Sequence, residues 1–381
     1  MATANAKLYD PRQVLDHPEF KILGPNDKPT KGANIAVFYN HHHELHMVEK
    51  PRPKPGPGQV LLHVRASGIC GSDIHYWRHG RIGNMVLHDE CGSGHESAGE
   101  VIELGEGDRV TIEAEIPCFQ PSCEPCRTGK YNGCPNVVFL SAPPYHGELS
   151  CTLTKWHVHP AAWLHRIPDN MTFEEGALCE PLTVALAGVE GSGLRLGDPT
   201  LICGAGPIGL ATLLSARAAG AEPIVITDLF QNRLDFAKKL VPTVRTVLIE
   251  RDLSLEDQAA KIKAAAGTAF RVGLECTGVE SSIATAAYTI KFGGTLMVIG
   301  VGKSPQTYPF MQLSLNEINL KFINRYVDQY PKAIRLISGG LIDMKPLVTH
   351  RFALEDAMDA FNVAADLTQG AIKVQIQDME D

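Results

Sequence analysis

The sequence has no run approaching the ~18 consecutive apolar residues of a membrane-spanning helix, so no bilayer partner is expected. It also lacks any lysine- or arginine-rich run. Lys plus Arg number 35 and Asp plus Glu 43, a formal net charge of −8. A protein that neutralises many phosphates carries the opposite balance, so nucleic acid is not an expected partner. Met1 to Phe20 holds no apolar segment and is not arginine-rich, and the stretch 377–381 matches neither a peroxisomal nor a prenylation signal. The cytoplasm is the compartment this predicts. Ten cysteines in 381 residues are too few for a disulfide scaffold but enough to furnish metal sites in a reducing compartment. No internal repeat or low-complexity tract is present. A mean hydropathy of −0.06, with 44% hydrophobic residues, excludes a disordered chain. The length allows about two domains at roughly 150 residues each.

Residues 1–33 carry four prolines among charges and little periodicity, and read as a poorly ordered arm. From Asn34 short strands alternate with Gly/Pro turns, including 34–38 and 59–65, and predict a β-rich domain to about Pro168. From about Ala177 the texture turns helical. Apolar strands at 200–203, 223–227, 271–275 and 295–300 then alternate with helices at 210–220, 232–240 and 281–289. That alternation predicts a doubly wound parallel sheet. Helix-like stretches at 330–338 and 353–365 and a strand at 371–376 close the chain. The expected fold is α/β, with a discontinuous domain at 34–180 and 329–381 around an inserted sheet at 181–328.

Gly204-x-Gly206-x-x-Gly209 follows a strand and opens a helix, and Asp228 ends the next strand. This is the full dinucleotide context. Gly204 permits the tight turn, Gly206 lets the backbone approach a pyrophosphate at the helix N-terminus, and Gly209 lets helix and sheet pack closely. Asp228 can accept hydrogen bonds from ribose hydroxyls and would repel a 2′-phosphate, which favours NAD over NADP. Arg233 either lies over the adenine or is an exposed helix residue. The competing reading is a glycine-rich turn beside a solvated aspartate.

Two groups have metal-ligand chemistry. Cys70 follows a strand in Cys70-Gly-Ser72-Asp73-x-His75, and His95-Glu96 lies 25 residues on. A thiolate, an imidazole and a carboxylate suit zinc with one position left open, as catalysis requires. The second group is Cys118-x4-Cys123-x2-Cys126-x7-Cys134, four thiols that suit a closed structural zinc or else remain unliganded on a loop. His41-His42-His43 with His46 offer either a metal tract or surface histidines, and their place at a strand edge favours the surface reading; His157 and His159 read as strand residues without a ligand.

Taken in order, these blocks resemble the zinc-dependent medium-chain dehydrogenases, in their polyol dehydrogenase branch. The residues that carry the resemblance are Cys70-Gly-Ser-Asp-Ile-His-Tyr-Trp77, Gly94-His-Glu-Ser-Ala-Gly99, Gly107-Asp-Arg-Val110, Glu180-Pro-Leu182, Gly204-Ala-Gly-Pro-Ile-Gly-Leu210 and Glu275-Cys-Thr-Gly278. Further stretches, including 131–141, 195–199, 348–351 and 370–376, look most like fungal L-arabinitol 4-dehydrogenases. The likeness spans 34–378. Departures are the short link between Gly99 and Gly107, and x4 in place of x2 after Cys118, where Gln120 holds the family spacing. A third is Val-Asp-Gln-Tyr-Pro331 after Tyr326.

The resemblance implies a GroES-like catalytic domain around a Rossmann domain, and a homotetramer. It places Cys70, His95 and Glu96 on a catalytic zinc, with Glu180 as a further ligand or as the holder of a zinc-bound water. Tyr76, Glu180, Arg325 and Tyr326 would face a polyol. Pro207, Ile208, Asp228, Arg233, Ile299, Val301, Ile323 and Arg325 would contact NAD. Ser72 and His75 would relay the released proton, since imidazole titrates near neutrality. The implied activity is oxidation of a polyol such as L-arabinitol, with hydride transfer to NAD. Tyr76, a Phe in many arabinitol enzymes, draws the reading toward xylitol or D-sorbitol. The rival from another class is a non-catalytic nucleotide-binding protein on this fold.

Overall fold

The computed structural model describes residues 19–24, 27–88, 90–103, 105, 107–143 and 151–378. The chain divides into two compact units, Met1–Glu180 with Val348–Asp381, and Pro181–Leu347.

The first unit is built on strand Gln59–Gly68, buried along its length beyond Gln59. One edge pairs antiparallel with Glu96–Glu103. The other edge is shared by Trp156–Pro160 over its first half and Lys373–Gln377 over its second. Arg109–Ile112, Leu164–Arg166 and Val348–Ala353 complete this seven-stranded sheet. A second sheet runs Lys21–Leu23, Leu45–Lys50, Asn34–Tyr39, Cys91–Gly92. Its first strand corrects the expected arm. Lys21, Ile22 and Leu23 pair with Glu49, Val48 and Met47, and Phe20 packs on the Ala36/Phe38/Val48 core. Three residues of edge strand need no periodicity, so the pattern hid them. Positions 1–18, 25 and 26 of that arm lie outside the described residues.

The second unit holds six parallel strands in the order Arg245–Leu248, Ile224–Asp228, Thr200–Cys203, Phe270–Glu275, Ile290–Val298, Asn319–Phe322. Numbered along the unit this is 3-2-1-4-5-6, the doubly wound dinucleotide order. Its core joins Leu201, Val225, Val247, Phe270, Ile283, Leu296 and Val298. The sequence pattern did not mark Arg245–Leu248, which has one buried residue, or helix Leu255–Ala266, capped by Ser254.

The chain leaves the second unit at Leu347 rather than at residue 328. Helix Tyr330–Ser338 stays there because Gln329 donates to Glu190, Lys332 pairs with the same carboxylate, and Tyr326 meets Tyr330 edge-on. An amphipathic stripe says that a helix packs, not on which unit. Among the described residues no helix is long and apolar enough to cross a membrane.

Candidate active site and metal centre

Cys70 is the N-cap of helix Gly71–His79. Asp73, fully buried, accepts from the Cys70 backbone N–H at 2.9 Å and from that of Gly94 at 3.4 Å. One carboxylate thus ties the Cys70 turn to the His95 turn. The sulfur of Cys70, a ring nitrogen of His95 and a carboxylate oxygen of Glu96 all lie within 4.8 Å of one another. His95 places Nδ1 2.5 Å from Ser141 Oγ and 3.8 Å from Asp73 Oδ1, which leaves Nε2 for a ligand.

Both Glu96 oxygens accept from Lys373 Nζ at 2.7 Å, and that ammonium also reaches the Ile69 carbonyl at 3.3 Å. Both side chains are buried. Burial works against the Lys373 charge, yet the Glu96 carboxylate holds its pKa above the usual range. Gly68 makes the arrangement possible, since a Cβ there would collide with Glu96 Oε2. Glu180 is buried, and burial raises its pKa to about 8, with Glu96 and Cys70 pushing the same way and His95 opposing. Burial likewise pushes Cys70 up to about 12, Glu96 adding to it.

A half-buried thiol, a buried imidazole and a buried carboxylate converging on one point fit zinc bound by three protein donors with a position open. Ser72 hydrogen-bonds Cys70 and opposes its shift. His75 is exposed, its ring centre 5.3 Å from that of His79 and tilted 51° to it; partial desolvation and that neighbour lower its pKa. Tyr76 is buried, stacks on Tyr39 and points its hydroxyl to Met85 Sδ at 3.9 Å.

The four-cysteine loop closes. Cys118 and Cys126 sulfurs lie 3.9 Å apart, Cys123 and Cys134 3.8 Å, and all four within 4.8 Å of one another. Zinc–sulfur bonds of about 2.3 Å in a tetrahedron put sulfurs about 3.8 Å apart. Phe119, at φ +49°, turns the chain so that Cys118 joins the others despite the longer spacing.

In the second unit Gly204 takes φ +92°, and helix Pro207–Ala218 begins at Gly206 with proline in its first turn. A Cβ on Gly209 would collide with the Gly204 carbonyl. Around Gly206 the nearest atom to such a Cβ is Arg233 Nη1 at 3.8 Å, so the space over the helix N-terminus is open. Asp228 Oδ2 accepts from Ala205 N–H at 2.7 Å and Oδ1 from Phe230 N–H at 2.9 Å, while Arg233 stands 3.9 Å away. This cradle fits a dinucleotide. Pro207, Ile208 and Ile323 are half-buried, Ile299 buried and Val301 exposed. Arg325 is half-buried at φ +55°, and Tyr326 is buried against Tyr330.

Sequence reasoning missed Lys373, Ser141 and the tying role of Asp73. Lys373 had a signal: a lysine at an inward position of the apolar strand 371–376. Ser141 had none.

Residues 56–169 match the alcohol dehydrogenase GroES-like domain and residues 207–339 the zinc-binding dehydrogenase domain. The chain is 53% identical to an L-arabinitol 4-dehydrogenase of Aspergillus oryzae, over 92% of this chain and 96% of that one. It is 40% identical to a sorbitol dehydrogenase of Gallus gallus, over 87% and 93%. The crystal structure of L-idonate 5-dehydrogenase from Escherichia coli superposes with a TM-score of 0.81 at 25% identity, covering 94% of this chain and all of that one.

Proposed function

This chain belongs to the zinc-dependent medium-chain dehydrogenases, in the polyol branch, and on that premise we propose that it oxidises L-arabinitol to the corresponding ketose with NAD as acceptor. The observation that carries the reading is the convergence of Cys70, His95 and Glu96 donor atoms within 4.8 Å, in a chain that is 53% identical to an L-arabinitol enzyme over 92% of its length. Zinc, when bound, supplies Lewis acidity that lowers the pKa of a substrate hydroxyl, and NAD supplies the hydride acceptor. The protein's own part is to hold and orient. Cys70, His95 and Glu96 hold the metal, Ser141 fixes the His95 ring, Asp73 ties the His95 turn to the Cys70 turn, and Lys373 fixes Glu96. Glu180 lies close enough to act on the same site through its charge. Ser72 and His75 carry the hydroxyl proton outward, His75 as a neutral imidazole able to accept it. Tyr76, Arg325 and Tyr326 select the polyol. Gly204, Gly206 and Gly209 shape the phosphate turn, and Pro207, Ile208, Asp228, Arg233, Ile299, Val301, Ile323 and Arg325 bind NAD. Cys118, Cys123, Cys126 and Cys134 hold a structural zinc. We further place the enzyme in the cytoplasm as a homotetramer, which light scattering tests.

A second reading, oxidation of xylitol or D-sorbitol, is favoured by one residue, Tyr76. Steady-state kinetics on the three polyols decide between them. The first reading expects the highest kcat/KM on L-arabinitol, and a clear preference for sorbitol overturns it. Cys70→Ser should abolish turnover and one zinc while the fold is retained. A wild-type protein without zinc or turnover would instead support a binding module.

A further inference from the structure

The hairpin of strands Asn34–Tyr39 and Leu45–Lys50 and the strand Cys91–Gly92 bring a different set of donors together at one end of the second sheet. Phe38 pairs with His46 and with Gly92, and Tyr39 pairs with Cys91. The next step along each strand therefore sets Asn40 opposite Glu90, with Glu44 across the turn. The turn itself is fixed. His43 Nδ1 lies 3.0 Å from the Trp77 carbonyl, and the Trp77 indole N–H donates to the His43 carbonyl at 3.1 Å. The Asn40 amide oxygen accepts from the backbone N–H groups of His42 and Glu44, which aims its NH2 group inward. That nitrogen donates to Glu44 Oε2 and to Glu90 Oε1, both at 2.7 Å, and stands 3.4 Å from His46 Nε2.

Two carboxylate oxygens and a ring nitrogen thus crowd around one group with two hydrogens. The His46 nitrogen lies 3.6 Å from Glu44 Oε2 and 3.7 Å from Glu90 Oε1, too far for a hydrogen bond to either. The other Glu90 oxygen is buried without a partner among the described residues, on a side chain only 7% exposed. A buried carboxylate oxygen left unpaired costs free energy, and a cation on the same carboxylate offsets it. Zinc bonds of about 2.0–2.2 Å in a tetrahedron set donor atoms about 3.3–3.6 Å apart, close to the two spacings seen. We propose that Glu44, His46 and Glu90 form a site for a divalent transition ion, separate in residues and in donor type from the two cysteine-containing groups. Imidazole with two carboxylates suits zinc or its neighbours rather than magnesium or calcium. Asn40 orients the two carboxylates by a hydrogen bond to one oxygen of each, as partners of metal ligands commonly do. Exposed His42 is near enough to act on both carboxylates through its charge, and is the adjacent candidate for a fourth donor.

Zinc bound per chain at a fixed micromolar free zinc concentration tests this, measured by elemental mass spectrometry on the full-length enzyme. The same samples are melted with and without added zinc. Wild type should hold one zinc more than Glu90→Gln and one more than His46→Phe. Added zinc should raise its melting temperature, an effect both variants lose. Glu44→Gln, at an exposed position that leaves the buried pair intact, should weaken this zinc at least tenfold, and keeps the test open if a buried variant fails to fold. Equal zinc content in wild type and all three variants overturns the site. So does a zinc lost through His41→Ala and His43→Ala but kept in Glu90→Gln, since that marks a loose histidine tract. Displacement by equimolar magnesium or calcium overturns the choice of ion.

Discussion

Replacing Lys373 with methionine keeps a long apolar stem and removes the ammonium that sits 2.7 Å from both oxygens of Glu96. The two side chains are 3% and 1% exposed, so water cannot replace the lost partner. Breaking a buried ion pair by removing one member costs about 3–5 kcal/mol, because the other charge is left uncompensated. A cation on Glu96 supplies the missing charge, so the loss should be large in chelator-treated protein and clearly smaller in zinc-loaded protein. Removing both charges, in Glu96→Gln with Lys373→Met, should recover most of the metal-free stability, since a neutral pair leaves no buried charge. The readout is urea unfolding followed by tryptophan fluorescence. All three tryptophans, Trp77, Trp156 and Trp163, lie in the first unit, so the signal reports that unit alone. A metal-free Lys373→Met within about 1 kcal/mol of wild type would refute the reasoning, because a stability contribution that small is typical of a solvent-exposed pair. So would a double variant no better than the single one, because the cost would then come from packing and not from charge.

Asp228→Ser should shift cofactor preference toward NADP, since it removes the charge that repels a 2′-phosphate and leaves Arg233 free; an unchanged ratio of kcat/KM for the two cofactors counts against it. Burial holds the His159 pKa down to about 3, against 6.5 for the free side chain. Between those values the unfolded chain binds a proton that the folded chain does not, so stability is full above about pH 6.5 and falls as the pH drops toward 3. His159→Asn should flatten the dependence of unfolding free energy on pH in that window by about one proton, and an unchanged slope in tryptophan-detected urea titrations rejects this.

The parts of the site that were legible in the sequence share one property: their geometry is set locally. Cys70 is placed by its own helix cap, His95 and Glu96 by the Gly94 turn, and the phosphate turn by Gly204, Gly206 and Gly209. In each case the glycine or the cap stands beside the functional residue, so spacing carries the information. The four cysteines were half legible. Their number indicated a tetrahedral site, but whether Cys118 could reach it depended on a left-handed Phe119, a conformation that phenylalanine does not advertise. The return of the chain at Leu347 was not legible, because helix Tyr330–Ser338 is held by Glu190, far away in sequence.

Lys373 shows why such gaps have a physical origin. It lies 277 residues from Glu96, and the two meet because Lys373–Gln377 pairs with the end of Gln59–Gly68 while Glu96 pairs with Gly68 from the other side. The absence of a side chain at Gly68 is what lets the carboxylate lie across the strand toward the lysine. Three segments and one missing methyl group thus make one ion pair. The same logic governs Glu44, His46 and Glu90, which two β pairings bring to one strand end and which no motif spacing connects. Residues that bind by their own turn can be read along the chain. Residues that compensate a buried charge are recruited from wherever the sheet brings a partner, so they become visible only when strand order and register are known.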